Sequence, residues 1–218
     1  MEFFDRYKDD MLAYVNGLLA QYNAAGNPRA RKIGYSRSEH IMRVYKWARK
    51  LYEAYPDKEA VDFEVLSIAA VFHDVGYCRA SEGADHAEAS SKICRKYLLE
   101  KGYPLNKTEQ VCSVIARHSD KHIIHDDIPI ELVLLLEADM LDDMGAMGLV
   151  IDVWMEAVCG EDVTFRSILR HMEKYTLAEM QRENPMRTDE GRRIWEEKKA
   201  LTEAFITSYK EDFSDEVF

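Results

Sequence analysis

Proline and glycine are scarce, with five and ten copies in 218 residues, too few to punctuate the many short strands of a sandwich or barrel. Cysteine is sparse too. Cys78, Cys94, Cys112 and Cys159 form no CxxC pair, which excludes a zinc ribbon or a thioredoxin-like motif and reads as four reduced, mostly buried thiols. That usage favours the cytosol. No run approaches the ~18 uncharged apolar residues of a spanning helix, and MEFFDRYKDD lacks the basic and apolar regions of a secretory leader. The expected location is cytoplasmic, with no membrane partner. Positive charge is also short, 29 Lys and Arg against 40 Asp and Glu for a net −11 and a pI near 5.2. Such a balance excludes a general surface for phosphate backbones, so duplex nucleic acid is not an expected partner.

What is present is apolar spacing of helical period. Hydrophobic residues make up 47% of the chain, enough for one large domain with its own core. Apolar positions recur at i, i+3, i+4 and i+7 with almost no β-branched alternation, which predicts an all-α, single-domain helical bundle. Helices are expected near residues 2–23, 38–54, 59–74, 84–101, 107–118, 129–143, 146–158, 162–182 and 189–212. Asn106 with Glu109 has the spacing of a capping box, Pro129 suits a first turn, and Gly76 and Gly102 suit helix exits. Gly145 and Gly148 follow no strand, so they read as sites of close helix packing. In the segment RRIWEEKKALTEAF acidic and basic residues interleave as on a solvated face.

Several polar residues nevertheless fall on apolar faces. His40 lines up with Val44, Trp47 and Leu51, and His73 with Asp74 closes the stripe of Val61, Val65, Ile68, Ala69 and Phe72. His86 shares a side with Ser90, Ile93 and Tyr97, and His118 ends the stripe of Val111, Val114 and Ile115. Asp139 follows Leu132, Leu135 and Leu136, where an unpaired carboxylate would cost several kcal/mol, so it needs a partner. Any single inward histidine is more simply a core residue with a hydrogen bond. Four histidines and two aspartates turned inward on separate helices call for a shared partner, and one divalent cation satisfies several at once. Imidazole and carboxylate suit Mn, Fe, Co, Ni or Zn.

His40, then His73-Asp74, then Asp139, in that order on separate helices, resembles the HD-domain superfamily of metal-dependent phosphohydrolases. ADMLDDMGAMG, residues 138–148, is similar to that family's ADRLDALGAIG segment, although Met140 stands where many relatives carry Arg. The later HMEKYTLAEMQRENPMRTDEGRRIWEEKKALTEAF resembles the closing helices of the bacterial subgroup related to nucleotide pyrophosphohydrolases. The likeness spans about residues 36–213. It divides the chain into an N-terminal helix and connector over 1–35, an HD core over 36–145 and C-terminal helices of the same domain over 146–218.

The resemblance implies that His40, His73, Asp74 and Asp139 ligate a divalent transition metal, manganese first among the candidates. His86 and His118 fall where some members add ligands for a second ion. They read equally as proton carriers or phosphate donors beside a single ion. The metal would lower the pKa of bound water and supply hydroxide for in-line attack on a nucleotide or other small phosphate ester or anhydride, with Asp74 as orienter. Arg37, one turn before His40, and Lys121, three residues past His118, are the substrate-phosphate candidates, each weighed against a solvated surface charge. Rival readings are a di-iron oxygenase of the same superfamily and a non-catalytic nucleotide-sensing module. A homodimer is compatible with the aromatic content.

Overall fold

The computed structural model describes residues 1–24, 37–79 and 85–213, and among these every regular element is helical. The fold is all-α, as the composition predicts. The connector expected over 25–35 and the helix start expected at residue 84 lie outside the described residues. The chain groups into two compact units, Met1–Asp139 and Met140–Phe218.

In the first unit, α1 (Glu2–Ala24) buries Phe4, Met11, Val15 and Leu19 along one stripe. Helix α2 (Arg37–Ala54) buries His40, Ile41, Val44, Tyr45, Ala48 and Leu51. Next comes α3 (Phe63–Phe72), buried on nearly every side because α1, α2, α4 (His86–Glu100) and α5 (Leu105–Arg117) all pack around it. Each Leu, Ile or Phe so enclosed contributes about 1.5–3 kcal/mol. One polar group enters this packing with its partners: Glu64 accepts from the backbone N–H of Phe3 and Phe4 and from the hydroxyl of Tyr103, at 2.9, 3.1 and 3.2 Å. That carboxylate ties the first turn of α1 to α3. A further helix, α6 (Ile130–Asp142), follows Pro129, whose carbonyl accepts from Leu132 and Val133.

Boundaries depart from the expected ones for local reasons. The third helix begins at Phe63 rather than 59 because the Asp62 carboxylate caps it, accepting from Glu64 N–H and Val65 N–H at 3.2 and 3.1 Å. Residues Lys58–Ala60 form a separate 3₁₀ turn. At its other end α3 gives way at His73, and Val75–Cys78 form a second 3₁₀ turn. Asn106 and Glu109 make no capping box, since α5 starts earlier with Pro104 as its N-cap residue and Glu109 pairs with Arg95 instead. Gly102 exits its helix at φ 75°, whereas Gly76 lies inside the 3₁₀ turn. Of the cysteines, Cys94 and Cys112 are buried and Cys159 is exposed.

The second unit holds α7 (Ala146–Cys159), α8 (Phe165–Met172) and α9 (Asp189–Glu211), with Leu149, Met172, Leu177 and Ile206 at its centre. The single helix expected over 162–182 is broken. Thr164 and Ser167 cap α8 reciprocally, and Glu173–Leu177 widen into a π turn in which Asp152 accepts from Thr176 N–H at 3.2 Å. A Cβ on Gly148 would meet Asp143 O at 2.6 Å and Thr176 Oγ1 at 2.8 Å, so this glycine does permit close packing. On α9 the outward charges pair as Arg192 with Asp189 and Arg193 with Glu190, while Ile194, Trp195, Thr202 and Ile206 are buried. No helix among the described residues is long and apolar enough to cross a membrane.

Candidate metal centre

Helix ends of the first unit bring the polar side chains together. Arg37 and His40 occupy the first turn of α2, and His73 and Asp74 the C-terminal end of α3. His86 opens α4, His118 caps the end of α5, Lys121 begins the 3₁₀ turn after it, and Asp139 lies on α6. A histidine at a helix end can reach back to a carbonyl of the preceding turn, and two of these do. His73 Nδ1 lies 2.8 Å from Ala70 O, and His118 Nδ1 lies 2.7 Å from Ile115 O. A carbonyl accepts only, so each Nδ1 carries a proton and donates it there, which leaves each Nε2 turned toward the centre.

Asp74 stands at the middle. Its Oδ1 is 3.4 Å from His118 Nε2, 3.5 Å from His86 Nε2 and 3.8 Å from His73 Nε2. Its Oδ2 is 2.7 Å from Arg37 Nη1 and 3.5 Å from His40 Nε2. Across from it, Asp139 Oδ1 is 3.2 Å from His40 Nε2 and 3.9 Å from His73 Nε2, and Oδ2 meets the Lys121 ammonium. Within the first unit two triads have ligand atoms within 4.8 Å of one another, His40 with His73 and Asp139, and His73 with Asp74 and His118.

Burial pushes the His73 imidazole down to about 4, so it is neutral near pH 7. His86, more open, is shifted the same way by burial. Burial alone would raise Asp74, but the Arg37 guanidinium against its Oδ2 holds it below the usual carboxylate range. Asp139 is held low against its burial by Lys121 and His40. The result is a pair of carboxylates and four imidazole Nε2 atoms that converge on one centre. His40 Nε2 and His73 Nε2 are 3.3 Å apart, and His73 brings a lone pair to that contact. A divalent cation fits such a set of converging nitrogen and oxygen donors, and the donor types suit Mn, Fe, Co, Ni or Zn.

All eight residues singled out in the sequence thus lie around one centre. Lys121 is no solvated charge, since its Nζ meets Asp139 Oδ2 and donates to His118 O. Arg37 likewise faces Asp74. His86 completes no triad but stands beside Asp74. Tyr77 was not anticipated: its ring stacks on His86, centroids 4.3 Å apart and planes 19° from parallel, and the Arg37 guanidinium lies 4.1 Å from the Tyr77 centroid. Its place directly after Gly76, three residues past the His-Asp pair, was the available signal.

Residues 37–144 match the family model described as the HD domain. Through these residues the chain belongs to the HD-domain family. Among solved structures, YpgQ of Bacillus subtilis is similar at TM-score 0.70 and 20% identity, covering 96% of this chain and 97% of that one. A second YpgQ structure, in complex with ADP, gives 0.67 and 21% over 95% of each chain. An HD-superfamily hydrolase of Bacillus thuringiensis gives 0.69 and 20% over 97% of this chain and 99% of its own. No curated protein matches the sequence with significant similarity.

Proposed function

We propose that this chain is a cytosolic metal-dependent phosphohydrolase acting on a nucleotide or another small phosphate ester or anhydride. His40, His73, Asp74 and Asp139 would hold one divalent cation, manganese by preference, and Asp74, His86 and His118 a second. The observation that carries the reading is Asp74: one oxygen faces His73, His86 and His118 and the other faces His40 and Arg37, the disposition of a carboxylate shared between two sites. When bound, the cation supplies Lewis acidity, activating water at neutral pH and offsetting charge on phosphoryl oxygens.

The remaining roles fall to this chain's own groups. His118 suits ligation better than proton transfer, because its Nδ1 proton is committed to Ile115 O. With a single cation bound, His86, about a fifth exposed at 22%, is instead the group able to meet a leaving oxygen. Arg37, 26% exposed, presents a planar fork to phosphoryl oxygens, and Lys121 adds a point charge from the side of Asp139. A nucleotide is favoured within the phosphate class because a YpgQ structure similar in fold was solved with ADP.

The test pairs elemental analysis of protein purified without chelators with phosphate or pyrophosphate release from a nucleotide panel in the presence of Mn. Release that stops on chelation is expected. Bound iron with oxygen consumption and no release would overturn the reading in favour of oxygenase chemistry, and tight nucleotide binding without any product would leave a sensing module.

A further inference from the structure

The turn after the His-Asp pair is pressed onto the first turns of α4. Gly76 N–H donates to Ser90 Oγ at 2.7 Å, and a Cβ on Gly76 would stand 2.1 Å from His86 O and 2.5 Å from Ser90 N. Only glycine allows that approach. The next residue, Tyr77, is thereby set against both His86, which stacks on its ring, and Arg37, whose guanidinium lies over it. His86 and Arg37 are in turn among the groups that address Asp74, His86 at Oδ1, 3.5 Å away, and Arg37 at Oδ2, 2.7 Å away.

We infer that Tyr77 is a positioning residue, its ring packed against both His86 and Arg37 so that both are held on Asp74. The physical need is specific. His73 and His118 are oriented by carbonyls of their own preceding helical turns, but His86 is the first residue of α4 and has no such carbonyl within its helix. An imidazole without a second anchor rotates about χ1 and χ2, and a stacked aromatic plane removes that freedom. A guanidinium over an aromatic ring gains a cation–π contact while its edge stays open to hydrogen bonding. The ring itself, rather than the phenol oxygen, makes both contacts. This inference rests on the proposed site, yet it concerns the orientation of side chains and does not require turnover.

The experiment compares wild type, Tyr77→Phe and Tyr77→Leu, and Tyr77 is partly exposed, so its replacement spares the core. In chelated protein, the His86 ring protons, assigned with a His86→Gln variant, should carry a ring-current shift in wild type and Tyr77→Phe and lose it in Tyr77→Leu. Titration with Mn should then show affinity falling about 10–100-fold in Tyr77→Leu and staying close to wild type in Tyr77→Phe. A wild-type His86 with no ring-current shift, or a Tyr77→Leu protein that binds Mn as wild type does, overturns the inference. Absence of phosphate release from wild type with both effects intact would sink the proposed reaction and leave the positioning role standing.

Discussion

The Lys121 ammonium joins the carboxylate of Asp139 to the main-chain carbonyl of His118, 2.9 Å from Nζ. It supplies the positive charge that a carboxylate sunk in the leucine face of α6 requires. Replacing Lys121 with Met should therefore destabilise the metal-free protein by about 1–3 kcal/mol, a charged hydrogen bond's worth. Lysine is about a third exposed, 32%, which places the loss toward the lower end of that range. Urea unfolding with and without saturating Mn checks this: the deficit should shrink when metal is present, and an equal deficit in both conditions would mean that lysine and metal do not share Asp139.

Asp74→Ala removes the carboxylate to which four imidazoles and Arg37 turn. Mn affinity should fall by more than the roughly 10–100-fold typical of a group behind a ligand, and metal-dependent phosphate release should vanish. Circular dichroism should show helicity retained, because Asp74 lies past the end of α3 and gives no side-chain cap to the turn after it. A variant with wild-type turnover would overturn the assignment of the centre.

The fold was legible where periodicity is long and uninterrupted. Helices α1, α2, α6, α7 and α9 lie within a residue or so of their expected bounds, because each carries a single apolar stripe. The misses share a cause, since side chains compete with the helix for backbone groups in ways that period alone does not record. Asp62 starts α3 late, Pro104 starts α5 early, and Asp152 captures Thr176 N–H to open a π turn. The candidate centre was legible because inward His and Asp are conspicuous on apolar faces. Tyr77 was not, since an aromatic ring beside a glycine has no polar signature, and its role depends on which helix the turn packs against.

Acid should weaken the metal-free protein well before its carboxylates titrate. His73 is held at about 4 in the folded state against an ordinary 6.5, so as pH falls the unfolded chain takes up that proton first. The stability gained from keeping this ring neutral is complete above about pH 6.5 and is lost between 6.5 and 4, amounting to about 3 kcal/mol. The depressed His86 acts with the same sign, whereas Asp74 and Asp139, held low, are lost only below the ordinary carboxylate range. Urea midpoints of chelated protein from pH 7.5 down to about 4.5 should decline through this window. Mn should steepen the decline, because it binds only neutral imidazole. A flat profile over that range would show that His73 is not buried as a neutral ring.

Gly148 and Gly17 should respond in opposite directions to alanine. At Gly148 the new methyl would stand 2.6 Å from Asp143 O and 2.8 Å from Thr176 Oγ1, and neither the carbonyl nor a threonine held in the π turn can withdraw easily. The displacement would strain the hydrogen bond from Thr176 N–H to the buried Asp152, so a loss of about 1–3 kcal/mol is expected. At Gly17, within α1, a Cβ meets nothing within 4 Å. Alanine there removes backbone freedom from the unfolded chain and should add about 0.4–1 kcal/mol. Thermal unfolding of the two variants, monitored by circular dichroism, separates them, and a Gly148→Ala protein as stable as wild type would mean that the π turn yields without cost and is not pinned by Asp152.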